Sequence, residues 1–526
     1  MKKTLSLTGL TINAMALIAP GAFLWTTFQL QSAQANAGTT TAFDMLPGLL
    51  FVLVLAFLTA YSYSELANAY PQAGAGSSYY FAEAAFLEKE KKAHYQFARL
   101  SKFTVGWISH LYYWIYPGIM VAFTGVLTVF ILSLFNITLT TWQSIIPVVL
   151  FAALTGYIAF RGISGSTMTA IIINVIQLTA LVAFAILAIV FRATHPELNY
   201  AHPNPFSVVL PHGFGNVLMQ GTIAILLLVG FESVTALGAE AKNPKRDVRR
   251  AILLSLAIQG AVAYVIEYFA ANYFMNDQIT NTVNGTVNTG YAAAAVSGAP
   301  IADMITYIGN NMLGGTGLIL TAILAATVLI ALIGTTLACL NTGVRITYVM
   351  GRDGEMPSIL GLLHGKFATP HFGVLILAVI SAVIGAYGVL SVDNLTQITL
   401  ASNTGTFLVY GMTNLICIIA FASRRDRHVL KHYIVPGLGL LANLGMLFAI
   451  FYLNIFVAGG ATATDTIIAL GIVVVWLLAG VIWMVVNSAV KKQPLLHDEH
   501  PGKPVGEEEE TAPAMAASDA GGAAPA

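Results

Sequence analysis

Apolar residues fall in long runs separated by short polar segments. A run of about 18 or more is long enough to cross a hydrocarbon core of roughly 30 Å as a helix. Twelve such runs occur, at 5–31, 42–66, 103–132, 143–160, 164–191, 216–240, 251–275, 317–349, 371–388, 398–422, 433–457 and 464–489. The pattern predicts an all-α polytopic membrane protein with twelve transmembrane helices. The longest polar loops, 88–102, 192–215 and 276–312, are too small to hold a core of their own. Residues 1–490 therefore read as one transmembrane domain. The stretch 491–526, with Glu507 to Glu510 and an Ala/Pro/Gly run, is too poor in apolar bulk to offset its ordering entropy, and is expected to be a disordered cytoplasmic tail.

Only 9% of the 526 residues are charged, against roughly 25% in soluble domains, which argues against a soluble enzyme. Twenty-four Lys plus Arg cancel twenty-four Asp plus Glu, so no nucleic-acid partner is implied. Position says more than the sum. With Lys2 and Lys3 on the cytoplasmic side, twelve crossings put every Lys and Arg except Arg192 on that side, as positive charge retention requires. Both termini are then cytoplasmic. Lys2-Lys3, the following apolar stretch and Ala35-Asn36-Ala37 imitate a secretory leader, but Leu5 to Leu30 exceeds the roughly 7–15 residues of a leader core, so it reads as the first span. Cys339 and Cys417 lie inside apolar spans and suggest neither a disulfide nor a metal site. No Gly-rich phosphate loop with Lys-Ser/Thr is present, so neither ATP-driven pumping nor other enzymatic chemistry is expected.

Two spans carry helix breakers at matching depth. Ile18-Ala19-Pro20-Gly21-Ala22-Phe23 begins about thirteen residues into the first, and Val229-Gly230-Phe231-Glu232-Ser233 about thirteen residues after Asn216 in the sixth. The second of these lies five spans on from the first, so the two cross in opposite senses. Interrupted helices in such a relation point to an inverted-repeat transporter with its site at the unwound midpoints.

Local strings add to this. Ser64-Glu65-Leu66-Ala67, Tyr70-Pro71-Gln72-Ala73-Gly74 and Tyr79-Tyr80 follow the second span, and Gly106-Trp107 opens the third. Gly230-Phe231-Glu232 and Ala239-Glu240-Ala241-Lys242-Asn243-Pro244-Lys245-Arg246-Asp247 mark the sixth, and Arg345-Ile346-Thr347-Tyr348 with Gly351-Arg352-Asp353-Gly354-Glu355-Met356-Pro357 close the eighth. On these strings, over residues 5–422, the chain resembles the amino acid-polyamine-organocation transporter superfamily. The resemblance implies a five-plus-five inverted repeat (about 5–191 and 216–422) with two trailing helices at 433–489, carrying amino acids or amines by alternating access.

It also implies a substrate carboxylate held at the first break, where freed N–H groups meet a positive helix end. The usual glycine, small polar residue, glycine and apolar pair read here Ala19, Pro20, Gly21, Ala22 and Phe23. Proline has no N–H, so Gly21 and Ala22 must supply the contacts with Ile18 and Ala19 beside them, and an amine without a carboxylate gains ground. In the sixth span Leu228, Val229, Gly230 and Phe231 offer carbonyls to an ammonium, with Phe231 at the gate. Glu232, flanked by Ser233, is the sharpest candidate, because a carboxylate at membrane depth is costly unless paired, protonated or wet. It reads as amine partner or proton site, against the plainer role of capping freed N–H groups. Glu267 is a weaker candidate. Glu65 reads as a structural bond to loop backbone and His110 as a satisfied core group.

Tyr113, among Tyr112, Trp114 and Tyr116, and Asn403, between Ser402 and Thr404, are expected to line the pocket. One helix face cannot present all the aromatics. For coupling, Gln177 stands where proton-coupled relatives place a lysine, and Thr335 and Thr336 where sodium-coupled ones place hydroxyl ligands. H+ and Na+ both stay open as coupling ions, and no cofactor or firm metal site is expected. The reading is a secondary transporter of amino acids or related small amines in the bacterial inner membrane, whose partners are its substrate and the lipid bilayer. A polyamine permease is the alternative, and a channel or transporter-derived sensor the reading from another class.

Overall fold

The computed structural model describes residues 5–492, apart from 19, 72–76, 88–95, 163–166, 284 and 423. The predicted tail lies outside the described residues from 493 onward, as does Ala19; the side chain of Ala22 is likewise undescribed. The helices in chain order are α1 (Leu7–Ile18), α2 (Pro20–Ala33), α3 (Met45–Ala69), α4 (Ser78–Leu87), α5 (Gln96–Tyr113), α6 (Ile115–Leu134), α7 (Ile145–Phe160), α8 (Thr167–Thr194), α9 (Pro205–Val209), α10 (Phe214–Ala224), α11 (Pro244–Ser255), α12 (Val265–Phe274), α13 (Gly290–Val296), α14 (Pro300–Met312), α15 (Gly317–Arg352), α16 (His371–Gly388), α17 (Val392–Phe421), α18 (Val435–Phe448) and α19 (Gly460–Lys491). Two small antiparallel hairpins, β1 (Ala35–Asn36) with β2 (Thr39–Thr40) and β3 (Thr280–Val283) with β4 (Thr286–Thr289), lie in the connections. Among the described residues, eleven helical segments are long and apolar enough to cross a membrane. The twelfth predicted run appears as α7, an apolar helix of 16 residues.

The interruption predicted in the first span falls at Ala19, outside the described residues, with α1 and α2 on either side of it. The interruption predicted in the sixth span is present. The sixth begins as α10, tightens to a 3-10 turn at Ile225–Leu227, and resumes after Gly230 as a second 3-10 helix, Phe231–Glu240. The seventh span passes through a π-helix at Leu256–Tyr264 between α11 and α12. The third span, predicted as one piece, divides at Trp114 into α5 and α6. Pro117 cannot donate to the carbonyl of Tyr113 four residues back. Gly343 of α15 fills the space beside it, since a Cβ there would sit 2.9 Å from that oxygen.

The end of the bundle that holds residue 5 is fastened by polar contacts. The Leu5 N–H donates to Glu240 O (2.9 Å) and the Lys242 N–H to Leu5 O (2.9 Å), joining the start of the first span to the end of the sixth. Buried ion pairs join Arg99 Nε to Glu355 Oε1 (2.8 Å) and Lys102 Nζ to Glu83 Oε1 (2.7 Å). Arg345 meets Glu240 at 3.0 Å. Glu65, expected on loop backbone, instead receives Arg249 Nη2 at 2.7 Å, with His432 Nε2 at 3.4 Å from its other oxygen.

At the opposite end, the polar stretch 276–312 is not a plain loop: β3, β4, α13 and α14 fold over the bundle. Beneath them is a cavity of about 650 Å³ lined in part by Gln29, Thr280, Ser297, Asp303 and Ser391. Burial pushes the Asp303 carboxyl up to about 6, opposed by the Ser297 hydroxyl that donates to it.

The Arg99–Glu355 contact uses two guanidinium nitrogens, Nε and Nη2, at 2.8 and 3.2 Å. Removing the carboxylate takes both of these bonds from a buried guanidinium, so Glu355→Ala is expected to cost about 3–5 kcal/mol. A melting temperature of the purified variant equal to wild type would contradict this.

Candidate functional site

Opening a helix inside a membrane frees backbone groups that water cannot reach, and each must find a partner. In the first span, backbone groups on either side of Ala19 find partners on three other spans. Tyr264, at the end of the π-helix, donates its hydroxyl to Ile18 O at 2.5 Å. Thr335 of α15 donates to Ala16 O at 3.0 Å. Gln177 of α8 accepts the Gly21 N–H at 3.3 Å. Two of the coupling candidates are therefore contacts of the break itself. Thr336 is not: its hydroxyl bonds Leu332 O of its own helix at 2.6 Å.

The second break is held in the same way. Gly230 adopts φ +130°, a conformation L side chains rarely take. Its N–H donates to Glu232 Oε2 at 3.0 Å, and its carbonyl accepts the Ser233 hydroxyl at 2.6 Å. The Tyr116 hydroxyl donates to Leu226 O at 3.0 Å, and Asn403 Nδ2 to Thr222 O at 2.8 Å. Asn403 thus ties span to span, although its Oδ1 has no partner among the described residues, and neither does Ser402 Oγ. The first span abuts the break in the sixth, since a Cβ on Gly230 would lie 2.7 Å from Leu17 Cβ. Ile18, Val229 and Phe231 are fully buried around this meeting point.

Glu232 occupies its centre, 0% exposed. Besides the Gly230 N–H, its carboxylate accepts the hydroxyls of Tyr410 (2.9 Å), Tyr112 (3.3 Å) and Tyr113 (3.4 Å). Four donors stand in for the water that the group has lost. One carboxyl group thus closes the break in the sixth span and is ringed by phenols.

The whole chain was compared with known proteins. A family profile described as Amino acid permease matches residues 10–496. The chain belongs to this family. It is a multi-pass membrane transporter of amino acids or related small amines. The permease is 25% identical over 472 residues to the branched-chain amino acid permease BcaP of Bacillus subtilis (strain 168), covering 86% of this chain and 87% of that protein. It is 23% identical over 439 residues to the low-affinity putrescine importer PlaP of Escherichia coli (strain K12), covering 81% and 83%. A methylthioribose transporter of Bacillus subtilis (strain 168) is 23% identical over 395 residues, covering 73% and 75%.

In the permease, two residues that sequence reasoning passed over stand beside Glu232 and Phe231. Tyr410 makes the shortest bond to Glu232, and its ring centroid lies 5.3 Å from that of Phe231. Tyr63 of α3 stands at 6.0 Å from the Phe231 ring and 6.1 Å from that of Tyr410. A signal was there for Tyr410: it follows Asn403 by seven residues, two helical turns along one face. The aromatics of the third span also converge further than expected. The division at Trp114 lets Tyr112, Tyr113 and Tyr116 all reach the sixth span, while Trp114 turns away to Thr347 Oγ1 at 3.0 Å. His110 is satisfied by Gly106 O (2.6 Å) and Thr347 Oγ1 (3.1 Å).

Gly230→Ala combines a disfavoured φ with a clash against Leu17 and is expected to abolish uptake. Gly437→Ala, at a half-buried, unstrained position where a Cβ would meet nothing within 4 Å, serves as control. Uptake by Gly230→Ala at the control's level would show that the break tolerates a Cβ.

Proposed function

We propose that this permease is a secondary active transporter that binds the ammonium of its substrate against Glu232 and the carbonyls of Leu228, Val229 and Gly230. The observation that carries this reading is the buried Glu232 carboxylate at the junction of two broken helices. An anion there, walled by Phe231, Tyr63, Tyr113 and Tyr410, suits a small cationic group by both charge and cation–π attraction. The first turn of α2 would receive a substrate carboxylate through N–H groups that have no partner within the helix. The finer architecture belongs to the same proposal: α7 as a fourth crossing, twelve in all, with the first ten spans as two inverted repeats that rock about the paired breaks. The side of residue 5 is then cytoplasmic, in keeping with the Lys and Arg gathered on it.

A second reading has an observation of its own. Pro20 offers no N–H, and Gly21 already gives its own to Gln177. Carboxylate capture at the first break is thus weaker than usual, which favours an amine such as a diamine. The putrescine importer among the relatives and the branched-chain amino acid permease stand on the two sides of this choice. H+ or Na+ would drive either substrate; Thr335 at the Ala16 carbonyl is the oxygen ligand available to sodium.

Thermal stabilisation of the purified permease by leucine, alanine and putrescine, with and without sodium and at two pH values, separates the readings, because a ligand of the native state raises apparent stability. Stabilisation by leucine or alanine supports carboxylate capture; stabilisation by putrescine alone supports the amine. Glu232→Gln is expected to lose uptake of whichever substrate binds while keeping a melting temperature near wild type, and undiminished uptake would remove Glu232 from the site. Pro20→Ser restores a backbone donor and is expected to tighten binding of carboxylated substrates only. Unchanged affinity for them would put the carboxylate elsewhere.

A further inference from the structure

The seventh span carries a second acid buried as completely as Glu232, which the substrate site does not use. Glu267 of α12 is 0% exposed, and neither of its carboxyl oxygens has a hydrogen-bond partner among the described residues. The contrast with Glu232 and its four donors is chemical: a carboxylate without donor or counter-ion is far costlier in such a place than the neutral acid.

Among the described residues, the surroundings offer no counter-charge. On its own helical stretch Glu267 is flanked by Tyr264 and Tyr268, and both hydroxyls are committed to the first span, Tyr264 to Ile18 O (2.5 Å) and Tyr268 to Gln31 Oε1 (2.6 Å). The rest of the π-helix, α2 and the short α9 carry no titratable group. On α8 the one charged residue is Arg192, close to its end, with its guanidinium on Tyr273 O and on His202 O (2.5 Å). On α3, Tyr61, Tyr63 and Glu65 sit towards the far end, where Glu65 meets Arg249 and Tyr63 accepts from Ser78.

We propose that Glu267 is a proton-binding site of the transport cycle, separate from the substrate site at Glu232, and that its proton controls the seam between the seventh span and both halves of the first. In this conformation the carboxyl group holds its proton. When water reaches it, the O–H bond breaks, the proton passes to that water as hydronium, and the electron pair stays on the carboxylate. The new anion then needs donors. The flanking phenols can supply them only by leaving Ile18 O, at the first break, and Gln31, above it in α2. Proton loss therefore releases the two ties that hold the broken helix to the seventh span, and reprotonation restores them.

The proposal rests on the transporter reading only for its role in driving uptake, so the test has two arms. In the full-length protein in lipid nanodiscs, infrared spectroscopy at neutral pH is expected to detect the carbonyl stretch of a protonated carboxylic acid in wild type and in Glu232→Gln, and a loss of that band in Glu267→Gln. A band unchanged in Glu267→Gln overturns the proposal whatever the substrate. Glutamine mimics the neutral acid in shape, so the variant is expected to fold. If it does not, Glu267→Asp carries the test, and a band unshifted from wild type overturns it. In proteoliposomes offered leucine and putrescine, Glu267→Gln is expected to lose accumulation driven by an imposed proton gradient while retaining exchange with preloaded substrate. Gradient-driven accumulation equal to wild type overturns the coupling role. Failure of the wild type to move either probe counts against the substrate reading and leaves the infrared arm standing.

Discussion

Two open helices inside a membrane must have every freed backbone group answered, and the rest of the structure follows from that need. The answering side chains come from five spans. Tyr116 serves Leu226 O from the third, Gln177 serves the Gly21 N–H from the fifth, and Tyr264 serves Ile18 O from the seventh. Thr335 serves Ala16 O from the eighth, and Asn403 serves Thr222 O from the tenth. These polar residues would each be a defect in a purely apolar helix. Together they position the breaks, and the breaks position Glu232. Binding geometry and fold stability therefore share the same atoms.

Eleven apolar spans, the interruption of the sixth at Gly230 and the family were legible in the sequence because each rests on local chemistry. Pro20-Gly21 and Gly230 mark broken helices through their own backbone limits, and run length alone announces a crossing. What was not legible depends on where a side chain points. Gln177 could be placed at a family position, yet only three dimensions bring it to the Gly21 N–H. Asn403 could be picked out as polar in an apolar run, but not that it spans to Thr222. Tyr410 and Tyr63 were passed over because a tyrosine in a membrane run carries no sign of its partner.

The folded covering built from 276–312 was hidden for a related reason. Its strands and helices are short, and they gain order from packing on the bundle rather than from propensity. The division of the third span at Trp114 was written in Pro117, and its consequence, three tyrosines facing the sixth span, requires knowing the bend.

The joint between residue 5 and the end of the sixth span is made of backbone groups alone, Leu5 with Glu240 and Lys242. Hydrogen bonds of this kind do not consult side chains. A substitution at Leu5 or Lys242 other than proline leaves those N–H groups in place, so the joint between α1 and the end of the sixth span outlasts a change of side chain there.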